Sequence, residues 1–275
     1  MNQKITSEDG ETKVDPELTR MLSVTRRLPP LKILQPIPKW MKRRYLRRPR
    51  QMLVTDVLGF KMCLNPQEYV DSLILFAPQL YDPGEISFLK RRLKNGDVFL
   101  DIGAHIGFYS LHASGAVGPE GTVIAIEAAP KTFKRLQQNV ELNGMTNVRC
   151  LNLGVSDKRE TLRLNVNPGA NQGSNSFRRN YAQGVDVECL PLLEVLREQG
   201  IKTVAGAKLD IEGFEYPVLS RFFNDADQSR YPKFVVIELN WKYYPKDARK
   251  TLELLRAKGY QVHRASKSNY LMVRP

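Results

Sequence analysis

Residues 98–110 read Val-Phe-Leu-Asp-Ile-Gly-Ala-His-Ile-Gly-Phe-Tyr-Ser, and the order of these residues decides the fold. A short apolar strand over Asp97–Ile102 carries Asp101 near its end, and a tight turn bearing Gly103 and Gly107 opens a helix over Gly107–Ala116. Glycine serves where the backbone bends sharply and a ligand must come close. The spacing Gly103-x-x-x-Gly107 differs from the G-x-G-x-x-G run that seats a pyrophosphate, so a nicotinamide-type dinucleotide site is not expected.

Outward from this turn the pattern alternates. Strands are expected at Thr122–Glu127, Val148–Leu153, Arg159–Val166, Ala207–Ile211 and Val235–Leu239. Helices are expected at Pro130–Asn143, Leu190–Gln199, Gly213–Phe223 and Asp247–Lys258, and Tyr260–Ala265 with Tyr270–Val273 reads as a closing hairpin. Alternation of this kind implies a mostly parallel sheet covered on both faces, with an antiparallel edge. Upstream, residues 51–75 read as a β-hairpin around Gly59 leading to a helix, and Glu85–Leu93 as a helix stopped by Asn95-Gly96.

Ligands of such sheets sit beyond the carboxyl ends of the strands. The sequence places acids there: Asp101, Glu127, Asp157, Asp210, Glu212, Glu215 and Glu238. A carboxylate beside the glycine turn repels a pyrophosphate, which wants bare amides at a positive helix end, and suits an amino group or a sulfonium. Glu127, 20 residues beyond Gly107, stands where an acid can accept hydrogen bonds from both hydroxyls of a ribose.

The 275 residues, 42% of them hydrophobic, fit one large α/β unit with an N-terminal extension. Cys63, Cys150 and Cys189 lie far apart without metal-type spacing, which fits small core residues in a reducing compartment. No run approaches the ~20 apolar residues of a membrane span. The polar, mixed-charge N-terminus is unlike a signal peptide, so a cytoplasmic location is expected. Residues 1–25 are expected to be disordered or transiently helical. Between Arg26 and Arg50 lie ten basic residues and no acid, which is +10 of the chain's formal +13. Five prolines confine any helix there to about 39–48, where Trp40, Met41, Tyr45 and Leu46 interleave with the charges. Three readings of this arm stay open: peripheral contact with an anionic membrane, contact with nucleic-acid phosphates, or a solvated face.

From about Leu53 to Asn240 the chain resembles the FkbM family of S-adenosylmethionine-dependent methyltransferases. The resemblance rests on GDVFLDIGAHIGFYSL, VIAIEAAPKTFKRLQQNVELNG, LNLGVSD, KLDIEGFEYPVL and VVIELN, in that order. The family usually has Asn where this chain has His105. The resemblance implies a class I methyltransferase (Rossmann-like) α/β fold, doubly wound around a mostly parallel seven-stranded sheet. The domains would be a basic arm over 1–50, a hairpin and helical lead-in over 51–95, and a cofactor-binding methyltransferase domain over 96–275.

Carried over residue by residue, the resemblance implies that Asp101, Gly103, Ala104, His105 and Gly107 wrap the methionine portion of the cofactor. Phe108, Tyr109 and Ser110 follow, with Ser110 on the ligand carboxylate and the aromatic pair either touching the ligand or packing. Glu127 would hold the ribose and Ala128 face the adenine. Gly154, Val155, Ser156 and Asp157 would complete the adenine wall, unless Ser156-Asp157 is an ordinary turn. The polar, glycine-rich loop Asn167–Gly184 would lie on the acceptor side, offering Ser174, Asn175 and Ser176 to sugar hydroxyls and Arg178 and Arg179 to a phosphate.

An acceptor hydroxyl attacking a methyl group benefits from a base. Asp210 is the first candidate, followed by Glu212, Glu238 and His105, while Glu215 suits the positive end of a helix. Acids gathered at one mouth also suit a divalent metal, but no adjacent ligand motif accompanies them and no metal is expected. The expected activity is O-methylation of a sugar, glycolipid, polysaccharide or polyketide-type acceptor. A nucleic-acid methyltransferase using the arm is the alternative. It is disfavoured by the lack of an Asn/Asp-Pro-Pro-aromatic run and by the near-neutral core, and a non-catalytic cofactor-binding protein is the third reading. Oligomeric state is not readable.

Overall fold

The computed structural model describes residues 6–7, 16–27, 29, 40, 52–167, 175–179, 181–265 and 268–275. Its centre is a seven-stranded sheet of β4 (Val98–Ile102), β5 (Thr122–Ile126), β6 (Val148–Leu151), β10 (Gly206–Leu209), β11 (Phe234–Glu238), β12 (Gln261–Ala265) and β13 (Asn269–Val273). The order across the sheet is β12-β13-β11-β10-β4-β5-β6. Strands β6, β5, β4, β10 and β11 run parallel, and β13 is antiparallel to both β11 and β12. After β4 the chain builds outward through β5 and β6, then returns to build the other side from β10. The reversal leaves a crevice at the carboxyl ends of β4 and β10, where doubly wound sheets bind ligands. This is the doubly wound, mostly parallel sheet with an antiparallel edge that the alternation implies.

Both faces are covered. One apolar core lies under α3 (Pro83–Arg92), α4 (Phe108–Val117) and α5 (Pro130–Glu141), and includes Phe88, Leu111 and Leu136. The other lies under α6 (Leu192–Glu198), α7 (Glu215–Asp225) and α8 (Pro245–Ala257), and includes Leu196, Phe222 and Leu255. Proline at the first turn of α3, α5 and α8 fixes the backbone where an amide would have no partner anyway. The expected hairpin is β2 (Leu53–Val57) and β3 (Phe60–Leu64), with the short β1 (Thr6–Ser7) antiparallel to β2, followed by α2 (Tyr69–Phe76). Asn139 of α5 docks it, accepting from the Cys63 N–H at 2.7 Å and donating to Ile106 O at 2.8 Å. A buried ion pair of Asp71 on α2 with Arg135 on α5 adds a second clamp.

Three expectations are corrected. Residues expected to be disordered or at most transiently helical form a packed helix, α1 (Pro16–Thr25), whose Leu18, Met21, Leu22 and Thr25 are buried against the same core as α2. Their i, i+3, i+4 spacing makes one apolar stripe in an otherwise polar segment, and tertiary packing stabilises it. Arg26, counted with the basic arm, is anchored, donating to Leu75 O at 3.0 Å and Asp56 O at 2.5 Å. Beyond Arg27 only Pro29 and Trp40 of the arm are described, both exposed, so the helix expected over 39–48 lies outside the described residues. Finally, β7 (Gly154–Ser156), β8 (Glu160–Val166) and β9 (Gln183–Pro191) form a separate sheet in the order β7-β9-β8, whereas only β8 was expected. Cys63 and Cys189 are buried and Cys150 is half-buried. No helix among the described residues is long and apolar enough to cross a membrane.

Candidate active site

A cavity of about 360 Å³ opens at the crevice, within the range of small-molecule sites. Its floor is the glycine turn. Gly103 has φ +77°, and a Cβ there would stand 2.0 Å from the Asp210 carbonyl oxygen, so neither its conformation nor its space admits a side chain. Gly107, at φ +90°, would press a Cβ to 2.8 Å from the Leu136 side chain. His105 has φ +52°, a left-handed conformation that Asn and His tolerate better than most residues. This explains how a histidine fits where the family usually has asparagine. Asp82 and Glu212, at φ 47° and 51°, share that conformation and also line the cavity. Strain of this kind gathers at functional sites.

Glu127 reaches the cavity from the end of β5. Its Oε2 accepts the His105 N–H at 2.9 Å and its Oε1 accepts the Ala129 N–H at 2.8 Å. Burial outweighs these two bonds and raises its proton affinity to about 7. Asn152 steadies the next residues, donating to Glu127 O at 2.8 Å and Ala128 O at 3.2 Å. Leu153, Val155, Leu164 and Phe177 complete an apolar slot beside Ala128.

The opposite wall is acidic. Asp210, Glu212, Glu238 and Asp82 line it with Tyr69 and Tyr81. The Tyr109 hydroxyl donates to Asp82 at 2.9 Å, and burial holds that acid at about 6. The charge of Asp210, followed by desolvation, raises Glu238 to about 8. Burial and the charge of Asp210 raise Glu212 to about 7, although Arg179 donates to it at 2.8 Å and Asn240 at 3.1 Å. Burial, with smaller contributions from Arg135 and Lys208, lowers His105 to about 3, so its ring is neutral.

Of the residues singled out from sequence, Gly103, Ala104, His105, Phe108, Tyr109, Glu127, Ala128, Gly154, Val155, Asn175, Ser176, Asp210, Glu212 and Glu238 line the cavity. Others are committed elsewhere. The Ser110 hydroxyl, expected on a ligand carboxylate, donates to Asp101 at 2.5 Å, and Asp101 is itself fully buried behind the turn. The Ser156 hydroxyl donates to Lys158 O at 2.5 Å and Asp157 is exposed, and neither lines the cavity. Arg178, expected on a phosphate, donates to Gly213 O at 2.8 Å, pairs with Asp247 and stacks on Tyr244. Glu215 is the expected helix-end acid, accepting the Ile211 N–H at 3.0 Å and the Gly213 N–H at 3.0 Å. Ser174 lies outside the described residues.

Sequence reasoning missed Tyr69, Tyr81, Asp82 and Lys208. Lys208 was legible as the one basic residue in a buried strand, immediately before the Asp210 motif. The other three come from the lead-in, and no spacing connects them to the turn.

A family model described as the methyltransferase FkbM domain matches residues 101–262, more than half of the chain. The chain belongs to the FkbM methyltransferase family. Its methyl donor is S-adenosylmethionine. This FkbM methyltransferase is similar to a protein described as Methyltransferase 1 from Beauveria bassiana (strain ARSEF 2860). The two are 27% identical over 141 residues, covering 44% of this chain and 56% of the relative. The chain thus spans about half the length of the curated relative it matches. Among solved structures it is similar to methyltransferase FkbM from Methylobacillus flagellatus KT, at 16% identity and TM-score 0.44, covering 74% of this chain and 52% of that one. It is also similar to fibrillarin from Aeropyrum pernix with bound S-adenosylmethionine, at 14% identity and TM-score 0.43, covering 82% of this chain and 94% of that one.

The residues present fit the donor. The cavity pairs Glu127, at the end of β5, with an apolar slot and a turn whose Gly103 has no room for a side chain. Among the described residues, no group of three or more His, Cys, Asp or Glu is arranged to hold a metal ion.

Proposed function

We propose that this methyltransferase transfers the methyl group to a hydroxyl of an uncharged acceptor of the sugar, glycolipid, polysaccharide or polyketide type. Glu127 holds the ribose, the slot of Ala128, Leu153 and Val155 takes the adenine, and the backbone of Gly103 to His105 lies along the methionine portion. S-adenosylmethionine supplies an electrophilic methyl group when bound. The remaining work is alignment, exclusion of water and removal of one proton.

One observation carries the acceptor class: the acceptor-side wall holds Asp82, Asp210, Glu212 and Glu238, and the only Lys or Arg among the described lining residues is Lys208. That ammonium already faces Gly103 O and Asp210. A phosphorylated or carboxylated acceptor would meet a wall with more acids than cations, whereas hydroxyls find acceptors for their hydrogens. Asp210 orients the hydroxyl, and its pair with Glu238 takes the proton, because an acid held near neutrality is suited to that exchange. His105, neutral at about 3, is a poor base.

The test is transfer of labelled methyl from S-adenosylmethionine to matched panels of neutral sugars, sugar phosphates, glycolipids, amines and RNA. Label is expected in a neutral hydroxyl compound, with Asp210→Asn reducing the rate by ~100-fold or more. Label that enters only RNA, amines or phosphorylated acceptors would refute this reading.

The partner proposed for residues 26–50 is an anionic membrane surface. The segment leaves α1 and returns at β2, and both pack against α2, whose Tyr69, Val70 and Leu73 line the cavity. Replacing Lys42, Arg43, Arg44, Arg47 and Arg48 by glutamine should abolish binding to phosphatidylglycerol vesicles. Undiminished binding would refute the membrane role.

A further inference from the structure

We infer that Lys208 is a positioning residue that ties the cofactor turn to the acceptor-side acids, so that both halves of the cavity are built around one ammonium group. The inference rests on the reading of the cavity given above. Lys208 sits on β10 in register with Asp101 of the neighbouring parallel strand, and is only 8% exposed. Its Nζ donates to Gly103 O at 2.8 Å and to Asp210 Oδ2 at 3.4 Å, and stands 3.9 Å from Asp101 Oδ1. The Tyr109 ring lies under it at 5.3 Å.

Each contact secures a different part of the site. Gly103 is the residue whose conformation no side chain can share, and the ammonium fixes its carbonyl. Asp101 has one oxygen on Ser110, and its other oxygen, buried, has no hydrogen-bond partner, leaving the ammonium as its nearest counter-charge. Asp210 is the acid assigned to the acceptor. A single cation therefore keeps two carboxylates, one behind the cofactor turn and one on the acceptor wall, from repelling each other across the crevice. Burial alone would weaken the hold of Lys208 on its proton, but Asp210, Asp101 and Glu238 more than reverse that effect. The further charges that bear on the group are Glu127 from β5 and Asp82 ahead of α3.

Removing the ammonium while keeping the length of the chain isolates its charge. The affinity of the full-length protein for S-adenosylhomocysteine would be measured by calorimetry. The proteins are wild type, Lys208→Met and Lys208→Met/Asp210→Asn, each with a melting curve. Relative to wild type, Lys208→Met should lose about tenfold or more in affinity. The double variant, which also removes the acid stranded by loss of the ammonium, should recover part of that deficit. A loss without recovery in the double variant, or no loss, overturns the inference, because a merely structural lysine would behave in one of those ways. If Lys208→Met does not fold, recovery of folding in the double variant supports the charge-matching role and continued misfolding overturns it. A wild-type protein without affinity for S-adenosylhomocysteine would overturn the reading of the cavity itself, a different outcome.

Discussion

Replacing Glu127 by alanine separates its two duties. In the free protein each carboxylate oxygen accepts one backbone amide, from His105 at 2.9 Å and Ala129 at 2.8 Å, so the acid holds the glycine turn as well as offering its remaining lone pairs. A hydroxyl donating to a carboxylate contributes ~1.5–3 kcal/mol, so losing both ribose hydroxyls costs at least ~3 kcal/mol, roughly 150-fold in affinity. The stranded amides cost ~1–3 kcal/mol each in stability, which appears in the melting curve rather than in discrimination between ligands. The assay is calorimetric titration with S-adenosylhomocysteine and with its 2′,3′-dideoxy analogue. Wild type should prefer the intact ligand by roughly 150-fold, and Glu127→Ala should show almost no preference. Glu127→Gln, which keeps one acceptor oxygen, should fall between them. An alanine variant that discriminates as wild type does would show that Glu127 only holds the turn, and the ribose assignment would fail.

Three further outcomes follow from the packing. Leu18→Ala should destabilise the protein by ~2–5 kcal/mol in denaturant titration, because Leu18 is fully buried in the main core; an unchanged midpoint would return α1 to the status of an appendage. Asp71→Asn should cost ~3 kcal/mol or more by leaving Arg135 without its buried partner, whereas the apolar pair Asp71→Leu/Arg135→Met should cost much less; equal losses would count against the ion-pair argument. His112 is buried with neither ring nitrogen bonded, its ring edge-on to Phe60 and Phe108, and burial lowers its proton affinity to about 3. Its folded pKa lies below the ordinary 6.5, so its contribution to stability is present above about 6.5 and lost as pH falls towards 3. His112→Phe should therefore raise the melting temperature and flatten the fall in stability between pH 6.5 and pH 4; an acid limb as steep as wild type would refute that assignment. Glu127 contributes in the opposite sense: its folded value of about 7 exceeds the ordinary 4.5, so its contribution is present below about 4.5 and lost as pH rises through 7.

Much of the fold was legible because parallel strands buried on both faces are written as short apolar runs, and glycine, proline and asparagine mark where the chain turns between them. The strands from β4 to β6, and β10, β11 and the closing hairpin, emerged in this way. β9 was also readable, since Val185, Val187 and Cys189 alternate with Asp186 and Glu188, but its position beside a long polar loop concealed it. α1 was hidden for a different reason. Its stripe is only four residues wide and sits in a polar segment, and such a helix becomes stable only when another element covers it.

The sequence by itself determined the alternation of strands and helices, the glycine turn and the presence of acids at the strand ends, because these depend on local backbone needs and on period. It could not say what those acids face. Asp101 and Ser110 bond to each other, Arg178 closes on Asp247, and Lys208 stands between two carboxylates more than a hundred positions apart in the chain. These pairings were settled only when the sheet brought β4 beside β10 and the lead-in folded over the cavity. The energy of a charge depends on its nearest neighbours in space, and spacing along the chain does not record them.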